Sequence, residues 1–171
     1  MLASVLLAAH AFAADSCRWR GEAVDPFTRK DGRYLETSMP LGSRSGSGVG
    51  LVVHHAAGGF VQVDLGFSED GATNRKVDAT IQFLLDDGAV VAVHVVEHAL
   101  PTSKVSQMSR GLYTTHLASG SLSAEDAGRL GAASRITRVR HDLLPGGVVT
   151  HSLDPLDSRA LVRAFACATD P

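Results

Sequence analysis

The chain has no excess of charge in either direction: 16 Lys and Arg against 18 Asp and Glu leave −2 over 171 residues. With a pI near 6.4, no net basic charge draws it to nucleic acid or acidic lipid, and both drop out as general partners. Long apolar runs are missing too. The longest, residues 1–12, is shorter than the roughly 17 to 25 residues a helix needs to cross a bilayer, so no membrane span is expected. Cysteine occurs only twice, at Cys17 and Cys167, and neither belongs to a CxxC pair or stands beside a histidine, which argues against a reactive thiol. There is no internal repeat, coiled-coil heptad or long linker, and the one low-complexity stretch, 42–50 (GSRSGSGVG), suits a surface loop. What is present is 44% apolar residues, enough to build the core of one folded domain.

Residues 1–12 (MLASVLLAAHAF) are apolar apart from Ser4 and His10. Ala11, Phe12 and Ala13 supply the small-x-small pattern of a signal-peptidase site, so residues 1–13 read as a secretory signal peptide and 14–171 as a single β-rich domain. Ala14, Asp15 and Ser16 are not the small apolar approach of a lipid-modified cysteine. The expectation is therefore a soluble exported protein, periplasmic or secreted. An oxidising compartment favours disulfides, and a bond between Cys17 and Cys167 would tie the two ends of the domain together. Closing so long a loop is worth up to roughly 5 kcal/mol in chain entropy.

Periodicity along the rest of the chain is that of strands. Residues 48–55 (GVGLVVHH) and 60–67 (FVQVDLGF) form one pair, the second alternating Val61, Val63, Leu65 and Phe67 with Gln62, Asp64 and Gly66. Residues 77–85 lead through Asp86, Asp87 and Gly88 into 89–96, and Asp-Gly between apolar runs is a hairpin signal. Shorter strands are expected over 32–37, 111–116, 136–142 and 148–152. Ser123 with Asp126 forms a capping box for a helix over 124–130. Asp154 followed by Pro155 opens a second helix, with Leu161, Phe165 and Ala168 on one side. The fold class is α+β, mostly β: an antiparallel sandwich or curled sheet with a short internal helix and a C-terminal helix.

Few constellations carry chemistry. His94, Glu97 and His98 spell HxxEH, a zinc-peptidase pattern that works only on a helix. This Val-rich segment after a turn should be a strand, which places Glu97 opposite the two histidines. On that strand His94 and His98 would point the same way and could meet His54 or His55, giving an imidazole face able to hold zinc or copper. His116, His141 and His151 are scattered through the chain and read as general usage. Gly42-Ser43-Arg44-Ser45-Gly46 has Arg44 where a serine nucleophile would stand, and its glycines lack the Lys-Ser or Lys-Thr ending of a phosphate loop. Arg138 and Arg140 would share one face of a strand, either receiving an anion or acidic partner segment or guarding a solvated edge strand. Asp86 and Asp87 belong to a turn.

The opening Cys17-Arg18-Trp19 and Asp25-Pro26-Phe27-Thr28, then Leu122-Ser123-Ala124-Glu125-Asp126 leading to Ile136-Thr137-Arg138-Val139-Arg140, resemble a loose group of small exported bacterial proteins of unknown function. Arg29 and Lys30 stand where that group more usually has a glycine and a lysine. The resemblance implies an exported β-rich domain with a short helix before an I-x-x-[IV]-R strand, and no activity. Read from the residues alone, Trp19 and Phe27 are core aromatics and Asp25 and Thr28 form turns. No catalytic set and no cofactor are expected. The leading reading is a non-catalytic interaction domain that meets another envelope protein by strand addition or patch contact. The alternative is a zinc or copper protein using His94 and His98 with His54 or His55.

Overall fold

Alternation is strongest in the middle of the chain, and it becomes the centre of the sheet. The computed structural model describes residues 17, 20–24, 31–40, 49–56, 60–105 and 111–169, with backbone alone for 20–24, 31–40, 49 and 55–56. Residues 1–13, the 42–48 segment, Trp19, the element Asp25 to Thr28 and the His55 side chain lie outside that description.

Ten strands and two helices follow one another among the described residues: β1 (Arg20–Val24), β2 (Asp31–Pro40), β3 (Val49–Ala56), β4 (Phe60–Asp70), β5 (Lys76–Leu85), β6 (Val90–His98), β7 (Thr102–Val105), β8 (Leu112–Leu122), α1 (Ala124–Ala132), β9 (Ile136–Leu144), β10 (Gly147–Ser152) and α2 (Pro155–Thr169). The strands form one antiparallel sheet in the order β1-β2-β3-β4-β8-β6-β5-β9-β10, with β7 also on β8. The sheet curls into a half-barrel, so of the two expected architectures the curled sheet is the one found.

Both expected pairings are present, β3 with β4 and β5 with β6. At the β5–β6 turn the Asp87 side chain accepts a hydrogen bond from Ala89 N at 2.8 Å. Gly88 has φ +85°, a conformation a side chain would oppose. Ser123 caps α1 by accepting from Asp126 N at 3.1 Å. Asp154 caps α2, accepting from Leu156 N at 2.7 Å and Asp157 N at 2.8 Å.

The α2 helix packs on β2, β3, β4 and β9 and against α1. Leu161, Ala164, Phe165 and Ala168 are buried there, and the Phe165 ring meets Phe83 edge-on at 5.4 Å. Ile136 N donates to Ser158 Oγ at 3.0 Å, fastening the start of α2 to β9. Cys17 and Cys167 form a disulfide with their Cα atoms 5.7 Å apart, joining the start of the described chain to the last turn of α2.

Two strands, β1 and β7, have no counterpart in the sequence reading, and β8 runs on through Ser119, Gly120 and Ser121 to Leu122. Those residues disfavour strands by themselves, but β8 lies between β4 and β6 and is held from both sides. The strand carrying Arg138 and Arg140 is not an edge. β9 is paired with β5 on one side and β10 on the other.

Candidate functional site

The histidines expected to share a face are distributed by the register. His54 pairs with Gln62, Gln62 with Ser121, and Ser121 with His94. His54 and His94 therefore occupy one row of the outer face, three strand spacings or roughly 14 Å apart. Zinc ligands sit about 2.0 to 2.1 Å from the metal, so that row does not bring the two together. A register shift between Val95 and Glu97 then reverses the alternation. His94 faces Ser121 on the outer side, whereas His98 faces Ala118, which points inward and is buried. The bulge thus separates His94 from His98, which regular alternation would have kept on one side.

His54 is engaged elsewhere. Its Nε2 donates to Asp64 Oδ2 at 2.7 Å, and Gln62 Nε2 donates to Asp64 Oδ1 at 2.9 Å. Burial works against the charge on Asp64, but hydrogen bonds from His54, Gln62 and Ser119 outweigh it and hold the carboxyl below its usual range. Among the described residues, no three His, Cys, Asp or Glu side chains form a group able to hold a metal ion.

Arg138 and Arg140 do share the outer face of β9. They stand opposite Ser152 and Thr150 of β10, and Arg140 lies 3.7 Å from Asp142 across an exposed ion pair. Among the described residues β10 is paired with β9 alone, at one end of the sheet. Its sequence, GVVTHS, has no proline and no Lys, Arg, Asp or Glu.

The inner face holds a group of residues that sequence reasoning left out. A file of rings runs across it: Phe67 stacks on His116 at 4.6 Å and lies 6.1 Å from His141, which stacks on His151 at 5.3 Å. His116 and His141 are buried. Beside them Arg75 is paired with Glu69 and donates from Nε to Pro145 O at 2.9 Å. Burial pushes the His141 imidazole down to about 4, with His151 and Arg75 adding to the effect and Asp142 opposing it. Burial lowers His151 as well. The pair is therefore neutral at physiological pH.

His116 Nε2 lies 2.8 Å from the Thr73 hydroxyl and 3.7 Å from Glu69 Oε2. A hydrolytic relay needs the carboxylate on one ring nitrogen and the hydroxyl on the other. Here both lie at Nε2, and Nδ1 has no hydrogen-bond partner among the described residues. The arrangement anchors the turn before β5, helped by Thr114 Oγ1, which donates to Gly71 O at 2.7 Å and accepts from Thr73 N at 3.3 Å. Glu69 Oε2, His141 Nδ1 and His151 Nε2 are likewise buried without a hydrogen-bond partner among the described residues. The signal for this layer lay in the strand period. His116 is in step with Ala118 and Leu122, and His141 with Val139 and Leu143, all buried.

Set against protein-family models, curated proteins and solved structures, the chain gives no match. The Cys17–Cys167 bond fits an oxidising location outside the cytoplasm. Among the described residues no helix is long and apolar enough to cross a membrane.

Proposed function

We propose that the protein is a non-catalytic binding domain, exported to the periplasm or beyond by residues 1–13, that takes an extended acidic segment of another protein onto β10. The observation that carries this reading is the state of that edge. Sheet edges left open to solvent are normally blunted by lysine, proline or charge; β7 carries Lys104, whereas β10 carries none of these. Val148 is 59% exposed. A strand added to β10 would lie roughly 10 Å from β9, two spacings away. An Arg138 or Arg140 side chain and a partner carboxylate can span that gap, and a planar guanidinium suits a carboxylate. Backbone hydrogen bonds would supply affinity, and the two arginines the preference for acidic residues.

The test is a photo-crosslinking residue placed at Val148 or Thr150 in the host that makes the protein, with Val96 on β6 as the control position. The expected result is one protein joined at an acidic extended segment from both β10 positions, and lost when Arg138 and Arg140 are changed to Glu. Labelling at β10 no different from that at Val96 would sink the proposal.

A further inference from the structure

The sheet is split at one place, and the split is built. β5 and β6 pair only from Thr80 with His94 to Leu84 with Val90. Beyond that point β6 follows β8 to His98, while β5 begins at Lys76 on β9. β6 then stops, Ala99 N donates to Leu117 O at 3.0 Å, and after Pro101 the chain resumes along β8 as β7. Proline has no N–H to continue a ladder, which accounts for the break. Between the diverging strands opens a pocket of about 170 Å³ that reaches Phe67 and the buried His116.

The pocket's size and lining define a ligand class. A cavity of about 150 Å³ accepts benzene, so the seam has room for one six-membered ring and a small substituent. Phe67, Val77 and Leu100 give it apolar walls, Arg75, Lys76 and His98 contribute nitrogen donors, and no Asp or Glu is among its lining residues. Arg75 is committed to Glu69 and Pro145 O, which leaves Lys76 and His98, both exposed side chains, to receive a charged group. We propose that this seam is a binding site for a small cyclic monocarboxylate, with the ring against Phe67, Val77 and Leu100 and the carboxylate at Lys76 and His98. The site is separate from β10 and does not depend on the reading given to that edge.

Benzoate is the probe, titrated into the disulfide-intact protein and followed by amide NMR, with benzyl alcohol and acetate as neutral and ringless controls. A ligand of this size binds in the millimolar range or better, so saturable shifts confined to residues 74–77, 98–101 and 116–117 are expected. Benzyl alcohol and acetate should each bind about tenfold more weakly, and Lys76→Ala should weaken benzoate about fivefold. Leu100 is 89% exposed, so Leu100→Glu should leave folding intact while its charge repels the probe. Absence of saturable benzoate shifts, equal binding of benzyl alcohol, or indifference to both substitutions would overturn the proposal.

Discussion

The inner face of the half-barrel has two ends built on different principles. On β4 the inward residues run Val61, Val63, Leu65 and then Phe67 and Glu69; on β8, in the opposite chain direction, Leu122, Gly120, Ala118 and then His116 and Thr114. On β9 the file passes from Ile136 and Val139 to His141. At the first end α1 and α2 close over the sheet with Leu130, Leu161 and Phe165. The second end carries Glu69, Thr114, His116 and His141, tied by hydrogen bonds, ring stacking and the Arg75 ion pair. The period of two is the same at both ends, so alternation tells which residues face in, while the covering element decides whether those residues must be apolar.

Substitutions at the two ends should therefore differ in size. Phe165→Ala removes the edge-on partner of Phe83 and opens a cavity, and denaturant unfolding should show a loss of about 3 to 5 kcal/mol. At the polar end His141→Leu deletes an imidazole whose Nδ1 has no hydrogen-bond partner among the described residues, so at pH 8 it should stay within about 1 kcal/mol of the parent. A loss as large as that of Phe165→Ala would erase the contrast.

Acid should expose the same contrast. His141 sits at about 4 in the folded protein against an ordinary value of 6.5. The unfolded chain then binds more protons than the native one between those values, so stability is complete above pH 6.5, falls as pH drops, and levels off below about 4. That window is worth about 3 kcal/mol from His141, and His151, lowered in the same direction, adds to it. Unfolding curves between pH 7 and 4 should show this slope in the parent and a shallower one in His141→Leu. Equal slopes would mean that His141 is not the group responsible.

A smaller effect belongs to the helix end. A Cβ at Gly131 would lie 2.6 Å from Ala166 N, where α1 meets α2. Ala is the better helix former, yet Gly131→Ala should destabilise by about 1 to 3 kcal/mol because the helices must part. A gain in melting temperature would show that the two helices are not so closely seated. Smallest is Ser123→Ala, which removes the α1 cap and should cost about 1 kcal/mol.

What could be read in the sequence was local. The Asp87-Gly88 hairpin, both helix caps and the β3–β4 pair each depend on a few neighbouring residues and are found as read; the Cys17–Cys167 bond is the exception, spanning 150 residues and legible because the chain has no other cysteine. What could not be read depended on neighbours distant in the chain. Ser119, Gly120 and Ser121 are strand only because β4 and β6 flank them, and β9 is internal because β5, far earlier in the chain, pairs with the side that β10 leaves open. The bulge at Val95 to Glu97 cannot be seen in the run AVVAVHVVEH, yet it decides that His94 and His98 part company. His116 lies far in sequence from His141 and His151, which share the β9–β10 hairpin, and the three converge because the sheet places β8, β9 and β10 along one curved face with Phe67 between.

The most direct test that the buried polar layer holds a neutral imidazole at His141 is imidazole nitrogen NMR on the disulfide-intact protein at pH 6. His141 should give the paired shifts of a neutral ring, with one protonated and one bare nitrogen. An imidazolium shift from His141 at that pH would contradict the account of the half-barrel's second end.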